Sequence, residues 1–153
     1  MHKAERGNFA IFKASAYRVG IVAAQFNRGV SEALLVSAQQ TLHFYGVPDK
    51  NIKILRVAGA VEIPVVLQKL ARTRQYDCLV ALGSVIKGQT EHFHYVANIA
   101  AEGVLRVMLD NNIPVGFGIL TVNNLKQAKS RLSAGGEAVV AALHSARLIK
   151  SIK

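Results

Sequence analysis

The sequence predicts an α/β fold, a three-layer α/β/α sandwich around a parallel sheet of about four strands. Two observations support this. Short apolar runs rich in Val, Ile and Leu occur at residues 18–24, 52–57, 78–83 and 115–120, and stretches with helical periodicity follow them. Continuous apolar runs of this length are typical of strands that are buried on both faces of a parallel sheet. Right-handed crossovers through the helices then place helices on both faces.

The first two helices follow the first two strands. Apolar residues recur at helical spacing over residues 30–45, with Asn27 available as the N-cap and Gly46 marking the end. After the second apolar run, a stripe over residues 63–71 indicates another helix, and Pro64 suits its first position. Each strand is therefore followed by an amphipathic helix.

Two further helical patterns complete the alternation. One spans residues 90–109 and is broken by Asn-Asn-Ile-Pro at 111–114, and the other spans residues 136–150. No repeat or linker interrupts them, so we expect residues 1–153 to form a single domain. Residues 1–16 precede the first strand and fit no crossover. We expect this N-terminal arm to pack on a neighbouring copy of the chain.

The composition narrows the class of protein. No apolar stretch is long enough to span a membrane, and the N-terminus lacks the features of a signal peptide, so we expect a cytoplasmic protein without a membrane partner. The net charge of +10 attracts anions of any kind, from nucleic acids to phosphorylated metabolites. The basic residues are interleaved with few aromatic residues, which argues against a platform that stacks the bases of single-stranded nucleic acid. The single cysteine, Cys78, lies in an apolar run and is expected to be buried.

In a parallel sheet of this kind, ligands bind beyond the carboxyl ends of the strands. The loop predicted at residues 84–92 is the most informative one there. Gly88 and Thr90 lie just before a helix, where free N–H groups and the helix dipole favour a phosphate, although they are also ordinary cap residues. His92 lies beside this seat and suits proton transfer at neutral pH; the alternative is a surface or core histidine. His94 lacks the spacing from His92 that a metal site requires, and no other cluster predicts a metal.

Two other loops offer candidates. Glu62 lies at a strand-to-helix turn, where its carboxylate can accept hydrogen bonds from ligand hydroxyls or stabilise the helix N-terminus. Phe26 follows the first strand and can stack on a planar ring or belong to the core. Neither a Gly-x-Gly-x-x-Gly run nor a P-loop is present, so no nucleotide cofactor is predicted.

Four motifs on these loops resemble the lumazine synthase family in order and spacing. They are FN at 26–27, GAVEIP at 59–64, GSVIKGQTEHF at 83–93 and PVGFGILT at 114–121, followed by Gln127, Ala128 and Arg131. The resemblance implies a flavodoxin-like fold, pentamers or pentamer-based shells, active sites between subunits, and no cofactor or metal. It also implies condensation of 5-amino-6-(D-ribitylamino)uracil with 3,4-dihydroxy-2-butanone 4-phosphate to lumazine, phosphate and water, the penultimate step of riboflavin biosynthesis.

The resemblance also implies roles for individual residues. Phe26 would stack on the pyrimidine, and the ribityl chain would be held by Ala60, Val61 and Glu62. The polar edge of the ring would be held by Ser84, Val85 and Ile86. The phosphate would be held by Gln89, Thr90 and the neighbouring subunit's Arg131, and the neighbouring subunit's Phe117 would close the pocket. His92 matches the family's proton-transfer histidine.

The chain departs from the family's pattern at several positions. His94 stands where an acidic residue is usual, Lys87 where Arg is common and Ala58 where Pro is common. The segment 132–136 after Arg131 is shorter than the Gly/Lys-rich loop of shell-forming members. We therefore expect a pentamer or a pair of pentamers rather than a closed shell.

Three alternatives remain open. An archaeal-type riboflavin synthase of similar fold would join two lumazine molecules, and a non-catalytic flavin or lumazine carrier would bind product only. The histidine of the third loop, His92, favours the lumazine synthase over the riboflavin synthase, and the intact His92 and Arg131 argue against the carrier. A basic nucleic-acid-binding protein would require affinity to fall steeply with salt.

Overall fold

A four-stranded parallel sheet with helices on both faces forms the body of the computed structural model, which describes residues 7–152. The strands are β1 (Val19–Ala24), β2 (Ile52–Val57), β3 (Cys78–Ile86) and β4 (Val115–Val122), in the order β2-β1-β3-β4. The helices are α1 (Arg28–Phe44), α2 (Ile63–Arg72), α3 (His92–Asn111), α4 (Leu125–Lys129) and α5 (Ala134–Ser151), with 3₁₀ turns at Asp49–Asn51 and Ala60–Glu62. The predicted flavodoxin-like α/β sandwich is confirmed.

Each face of the sheet packs on its own apolar cluster. Helices α1 and α5 cover one face through residues such as Leu34 and Leu143, and α2 and α3 cover the other through residues such as Leu67. The central strands β1 and β3 are buried along almost their whole length, which explains why their sequences are continuous apolar runs. Cys78 is fully buried, as predicted, and burial raises the pKa of its thiol to about 12.

Several predicted boundaries are wrong. Strand β3 continues to Ile86 instead of ending at residue 83, because Ser84 and the two residues after it pair with the end of β4. The third loop therefore begins at Lys87, not at residue 84. The short helix α4 was not predicted, and Pro64 occupies the second position of α2 rather than the first.

The connections of the sheet create a crevice. The chain leaves β1 toward its outer neighbour β2, whereas it leaves β3 in the opposite direction, toward β4. Loops that leave adjacent parallel strands in opposite directions diverge, and the gap at the carboxyl ends of the strands is where such sheets bind ligands. The gap between β1 and β3 is therefore the expected ligand-binding site. Among residues 7–152, no helix combines the length and apolarity that crossing a bilayer requires.

The described part of the N-terminal arm packs on its own chain. The buried Ala14 donates its backbone N–H to the Tyr45 carbonyl at 2.8 Å, and the Arg147 guanidinium lies 4.6 Å from the centre of the Phe12 ring. Phe9 and Ile11 remain more than half exposed. Residues 1–6 of the arm lie outside the described residues, and contact of the arm with a neighbouring copy stays a prediction.

We expect the protein to lose thermal stability below about pH 6.5 through His144, which lies under this arm. Its Nε2 is 2.9 Å from the Tyr45 hydroxyl, and the Phe12 ring packs edge-on at 5.1 Å. Burial, assisted by Arg147, lowers the pKa of His144 from its ordinary 6.5. The folded protein therefore binds this proton less readily than the unfolded chain, so stability present above that pH is lost as the pH falls through the folded-state pKa.

Thermal melts between about pH 7.5 and about pH 5.5 measure this effect. His144→Gln should reduce the fall in Tm over that range, whereas the same change at the exposed His94 should retain the wild-type fall. An equal fall in both variants would show that His144 does not cause the acid sensitivity.

Candidate active site

A cavity of about 500 Å³ lies at the carboxyl ends of β1, β2 and β3, where the diverging loops leave the sheet. Its walls come from the loops after β1 and β2, the end of β3, the loop from β3 to α3 and the start of α3. The lining residues are Phe26, Asn27, Gly59, Ala60, Val61, Glu62, Ser84, Val85, Ile86, Gly88, Thr90, His92, Phe93 and Val96. Most residues with a predicted role are thus brought together, and three are not: Gln89, Phe117 and Arg131.

Phe26 has a fixed backbone and an exposed ring. Its N–H donates to the Ala58 carbonyl at 2.9 Å, and its own carbonyl accepts a hydrogen bond from the Ser31 hydroxyl at 3.3 Å. The side chain is 72% exposed, which excludes the alternative that it belongs to the core. An exposed aromatic face on a rigid backbone is suited to stacking on a planar ligand.

Glu62 uses one carboxylate oxygen for its own turn. Oε2 accepts a hydrogen bond from the backbone N–H of Gly59 at 3.0 Å, which fixes the side chain across the 3₁₀ turn before α2. Oε1 has no hydrogen-bond partner within residues 7–152. The two predicted roles are therefore compatible, because one oxygen stabilises the turn while the other is available to a ligand hydroxyl.

Ser84 carries an unsatisfied hydroxyl at the cavity wall. The residue is 4% exposed and lines the cavity, and its Oγ has no hydrogen-bond partner among the described residues. Leaving a buried polar group unpaired costs about 1–3 kcal/mol, and such groups are rare in native proteins. A polar edge of a ligand, directly or through one ordered water, would satisfy it.

The loop from β3 to α3 forms another wall of the cavity. Lys87 donates its N–H to the Val122 carbonyl at 2.8 Å, and Thr90 Oγ1 accepts a hydrogen bond from the His92 N–H at 3.4 Å. A Cβ on Gly88 would meet nothing within 4 Å, so packing within the chain does not require glycine there. The open backbone beside Gly88 and Thr90, just before an α-helix, agrees with the predicted anion seat.

His92 is the first residue of α3 and lines the cavity with an exposed side chain. The helix begins at this residue rather than at the predicted residue 90. His94 instead lies 3.8 Å from the Glu91 carboxylate and outside the cavity. Within residues 7–152, no group of three His, Cys, Asp or Glu side chains is arranged to hold a metal ion.

Phe117 and Arg131 lie apart from the cavity of their own chain. Phe117 is 46% exposed on the edge strand β4. Arg131 follows α4, and its Nη1 donates to the Gln127 carbonyl at 3.1 Å and to the Ser130 hydroxyl at 3.3 Å. Any role for these two side chains in such a cavity therefore requires a second copy of the chain.

Sequence reasoning missed part of the lining. Phe93 and Val96 lie three residues apart on one face of α3 and form an apolar wall; the sequence predicted a helix here, but not that this face meets the cavity. Asn27 occupies the N-cap position of α1, as predicted, but not with the expected side-chain capping bond. Its side chain makes no bond to the helix and instead donates to the Ser84 carbonyl at 3.0 Å, a contact that sequence spacing does not reveal.

Comparisons with known proteins agree with the motifs. Residues 16–150 match the family profile described as 6,7-dimethyl-8-ribityllumazine synthase. A protein of that name from Paracidovorax citrulli (strain AAC00-1) is 41% identical over 153 residues, covering 99% of each chain. Another, from Anaeromyxobacter sp. (strain Fw109-5), is 42% identical over 142 residues, covering 90% of this chain and 87% of its own.

Proposed function

The chain belongs to the 6,7-dimethyl-8-ribityllumazine synthase family, and from this premise we propose that it is the transferase that condenses 5-amino-6-(D-ribitylamino)uracil with 3,4-dihydroxy-2-butanone 4-phosphate, releasing phosphate and water. The main support is one cavity that brings together a stackable aromatic ring, a helix N-terminus, a histidine, and a carboxylate oxygen and a hydroxyl that have no hydrogen-bond partner among residues 7–152. These groups match a planar polyhydroxylated substrate and a phosphorylated one.

The reaction needs positioning and proton transfer. An arylamine attacks a ketone and, with loss of water, forms a Schiff base. Elimination of phosphate leaves an enol that tautomerises to a carbonyl, and this carbonyl condenses with the second amine, which closes the ring and releases a second water. Phe26 stacks on the pyrimidine, Glu62 Oε1 accepts from ribityl hydroxyls, and the turn at Thr90 seats the phosphate. His92 moves the protons. Positioning two reactants can lower the barrier by roughly 7–11 kcal/mol, and one acid/base group accelerates the reaction by about 10²–10⁴-fold.

The complete site lies between two copies of the chain in this proposal. The exposed Phe117 closes a neighbour's cavity, and Arg131, which lies outside its own cavity, completes the neighbour's phosphate seat. The assembly is a homo-oligomer based on pentamers, and oligomerisation is a condition of activity. Light scattering of the active protein tests this, because a monomer with full activity would rule out a shared site.

An activity assay with both substrates tests the function. The proposal predicts formation of lumazine, followed by its absorbance, only when both substrates are present. The protein incubated with lumazine alone separates the alternatives: formation of riboflavin would indicate a riboflavin synthase, and tight binding of lumazine without turnover of the two substrates would indicate a carrier.

Arg131→Ala is expected to raise the KM for the phosphorylated substrate by about 10- to 150-fold, the equivalent of the roughly 1.5–3 kcal/mol that a hydrogen bond to a charged group contributes. The KM for the pyrimidine should stay within about 2-fold, because the guanidinium does not contact that substrate in this proposal. Lys129→Ala, which removes a nearby positive charge from α4, is the control. Equal effects of both variants on the phosphorylated substrate would indicate general charge attraction instead of a specific contact.

Ser84→Ala is expected to separate stability from binding. In the free protein it removes a buried hydroxyl that has no hydrogen-bond partner in the described part of the chain, so the free energy of unfolding should stay the same or rise by up to about 1 kcal/mol. With the pyrimidine substrate, it removes a hydrogen-bonding group at the ring's edge, so the KM should rise. Thermal melts and steady-state kinetics measure the two effects; a large loss of stability without ligand would mean that Ser84 has a structural partner.

A further inference from the structure

Asn27 joins the loop after β1 to the end of β3. Its Nδ2 donates to the Ser84 carbonyl at 3.0 Å, across 57 positions of sequence. The pairing of β1 with β3 ends at Ala23 and Leu82, so Ser84 lies beyond the part of β3 that β1 reaches. The Asn27 amide takes the place of the missing strand neighbour and donates to the Ser84 carbonyl, which would otherwise lack a hydrogen-bond donor on this side.

The backbone of Asn27 has an unusual conformation that favours this contact. Its φ of 57° and ψ of 52° are left-handed, a region that Asn tolerates better than most residues other than glycine. Asn27 occupies the N-cap of α1, where an Asn side chain normally accepts hydrogen bonds from the helix N–H groups. Here it makes no capping bond and is committed to β3 instead.

This contact bears on Phe26, the preceding residue. The Phe26 backbone is hydrogen-bonded to Ala58 in the loop after β2 and to Ser31 in α1. Among the described residues, the hydrogen bond from the Asn27 amide to Ser84 is the one that connects the loop after β1 to β3. Because the Phe26 ring is 72% exposed, its place above the cavity depends on its backbone and not on packing. Asn27 therefore sets the spacing between the Phe26 wall and the β3 wall.

We propose that Asn27 is a positioning residue for the planar substrate: its amide holds the Phe26 ring at the distance from Ser84 that a stacked ring requires. The identity of that ring rests on the proposed function. The phosphate seat at Thr90 is not linked to this contact, so Asn27 should affect only one of the two substrates.

Asn27→Gly tests the contact, because glycine adopts the left-handed conformation freely while the amide is lost. We expect the KM for the pyrimidine to rise by about 3- to 10-fold and the KM for the phosphorylated substrate to stay within about 2-fold. Asn27→Asp keeps the size of the side chain but cannot donate to a carbonyl, so it should change the two KM values in the same way as Asn27→Gly. Asn112→Gly is the matched control, since Asn112 is also left-handed but lies outside the cavity; it should change neither KM.

A double-mutant cycle with Phe26→Ala separates positioning from direct contact with the substrate. If Asn27 acts through Phe26, Asn27→Gly should change the KM by less than about 1.5-fold in the Phe26→Ala background. Multiplicative effects of the two changes would overturn the proposal, because they would indicate that Asn27 contacts the substrate independently.

The same cycle measured by binding does not require turnover. Quenching of the fluorescence of added 6,7-dimethyl-8-ribityllumazine reports its Kd in each variant. An inactive wild type that binds lumazine, with coupled effects of the two changes, would refute the proposed function and leave the positioning role supported. An active wild type with unchanged kinetics and binding in both Asn27 variants would refute the positioning role alone.

Discussion

Gly135→Ala is expected to lower the free energy of unfolding by about 3 kcal/mol or more, which corresponds to a fall in Tm on the order of 6–12 °C for a chain of this size. A Cβ at Gly135 would lie 2.0 Å from the carbonyl oxygen of Leu34. The clash is with backbone, so no side-chain rotation relieves it, and helices α1 and α5 would have to separate. Separation would also break the hydrogen bond from the Gly136 N–H to the Ser37 hydroxyl at 3.0 Å.

The control is Gly29→Ala. Gly29 also lies in the first turn of a helix, α1, but a Cβ there would meet nothing within 4 Å. Because alanine restricts the unfolded chain and fits the helical backbone, this change should leave stability unchanged or raise it by up to about 1 kcal/mol. Denaturation of both variants by heat and urea measures the difference. Similar stabilities would mean that the packing of α1 on α5 adjusts without loss.

His92→Ala is expected to lower kcat by about 10²–10⁴-fold without abolishing turnover, and to leave both KM values nearly unchanged. The imidazole lies in the cavity at the start of α3, where it can move the protons of Schiff-base formation and phosphate elimination. The residual rate should come from the positioning of the two substrates, which the rest of the cavity retains. Single-turnover and steady-state kinetics over a range of pH measure both parts.

His94→Ala is the matched control for this change. His94 lies on the same helix and is exposed, but it is adjacent to Glu91 and outside the cavity. Its removal should change kcat by less than about 2-fold, because no proton transfer is assigned to it. A His92→Ala protein that binds both substrates but has no measurable turnover would contradict the view that positioning dominates. Equal effects at both histidines would remove His92 from its proposed role.

The strands could be predicted because a strand that is buried on both faces of the sheet is a continuous apolar run in the sequence. The bounds of β2, Ile52–Val57, are those predicted, and β1 differs by one residue at its start. Strand β3 was predicted too short because its apolar run stops before Ser84, whereas its pairing with β4 continues to Ile86. Backbone hydrogen bonds between strands form whatever the side chain is. A strand can therefore continue past a polar residue such as Ser84, and the end of the apolar run is not the end of the strand.

The site could be predicted in composition but not in arrangement. Motif spacing identified Phe26, Glu62 and His92, and the order of the strands brings their loops to one edge of the sheet. Neither the hydrogen bond between Asn27 and Ser84 nor the unsatisfied Ser84 hydroxyl follows from any local pattern.

The sequence by itself determined the alternation of strands and helices, the residues that face the core, and the family motifs. These properties depend on the periodicity of apolar residues and on residue types at short spacing. Both are present in the sequence of each segment, whatever the other segments are. Only the tertiary structure decided which groups are left without partners and which are joined across the sheet. Hydrogen-bond satisfaction in a cavity depends on atoms that are far apart in the chain, and angstrom-scale distances between such atoms exist only once the whole sheet has formed.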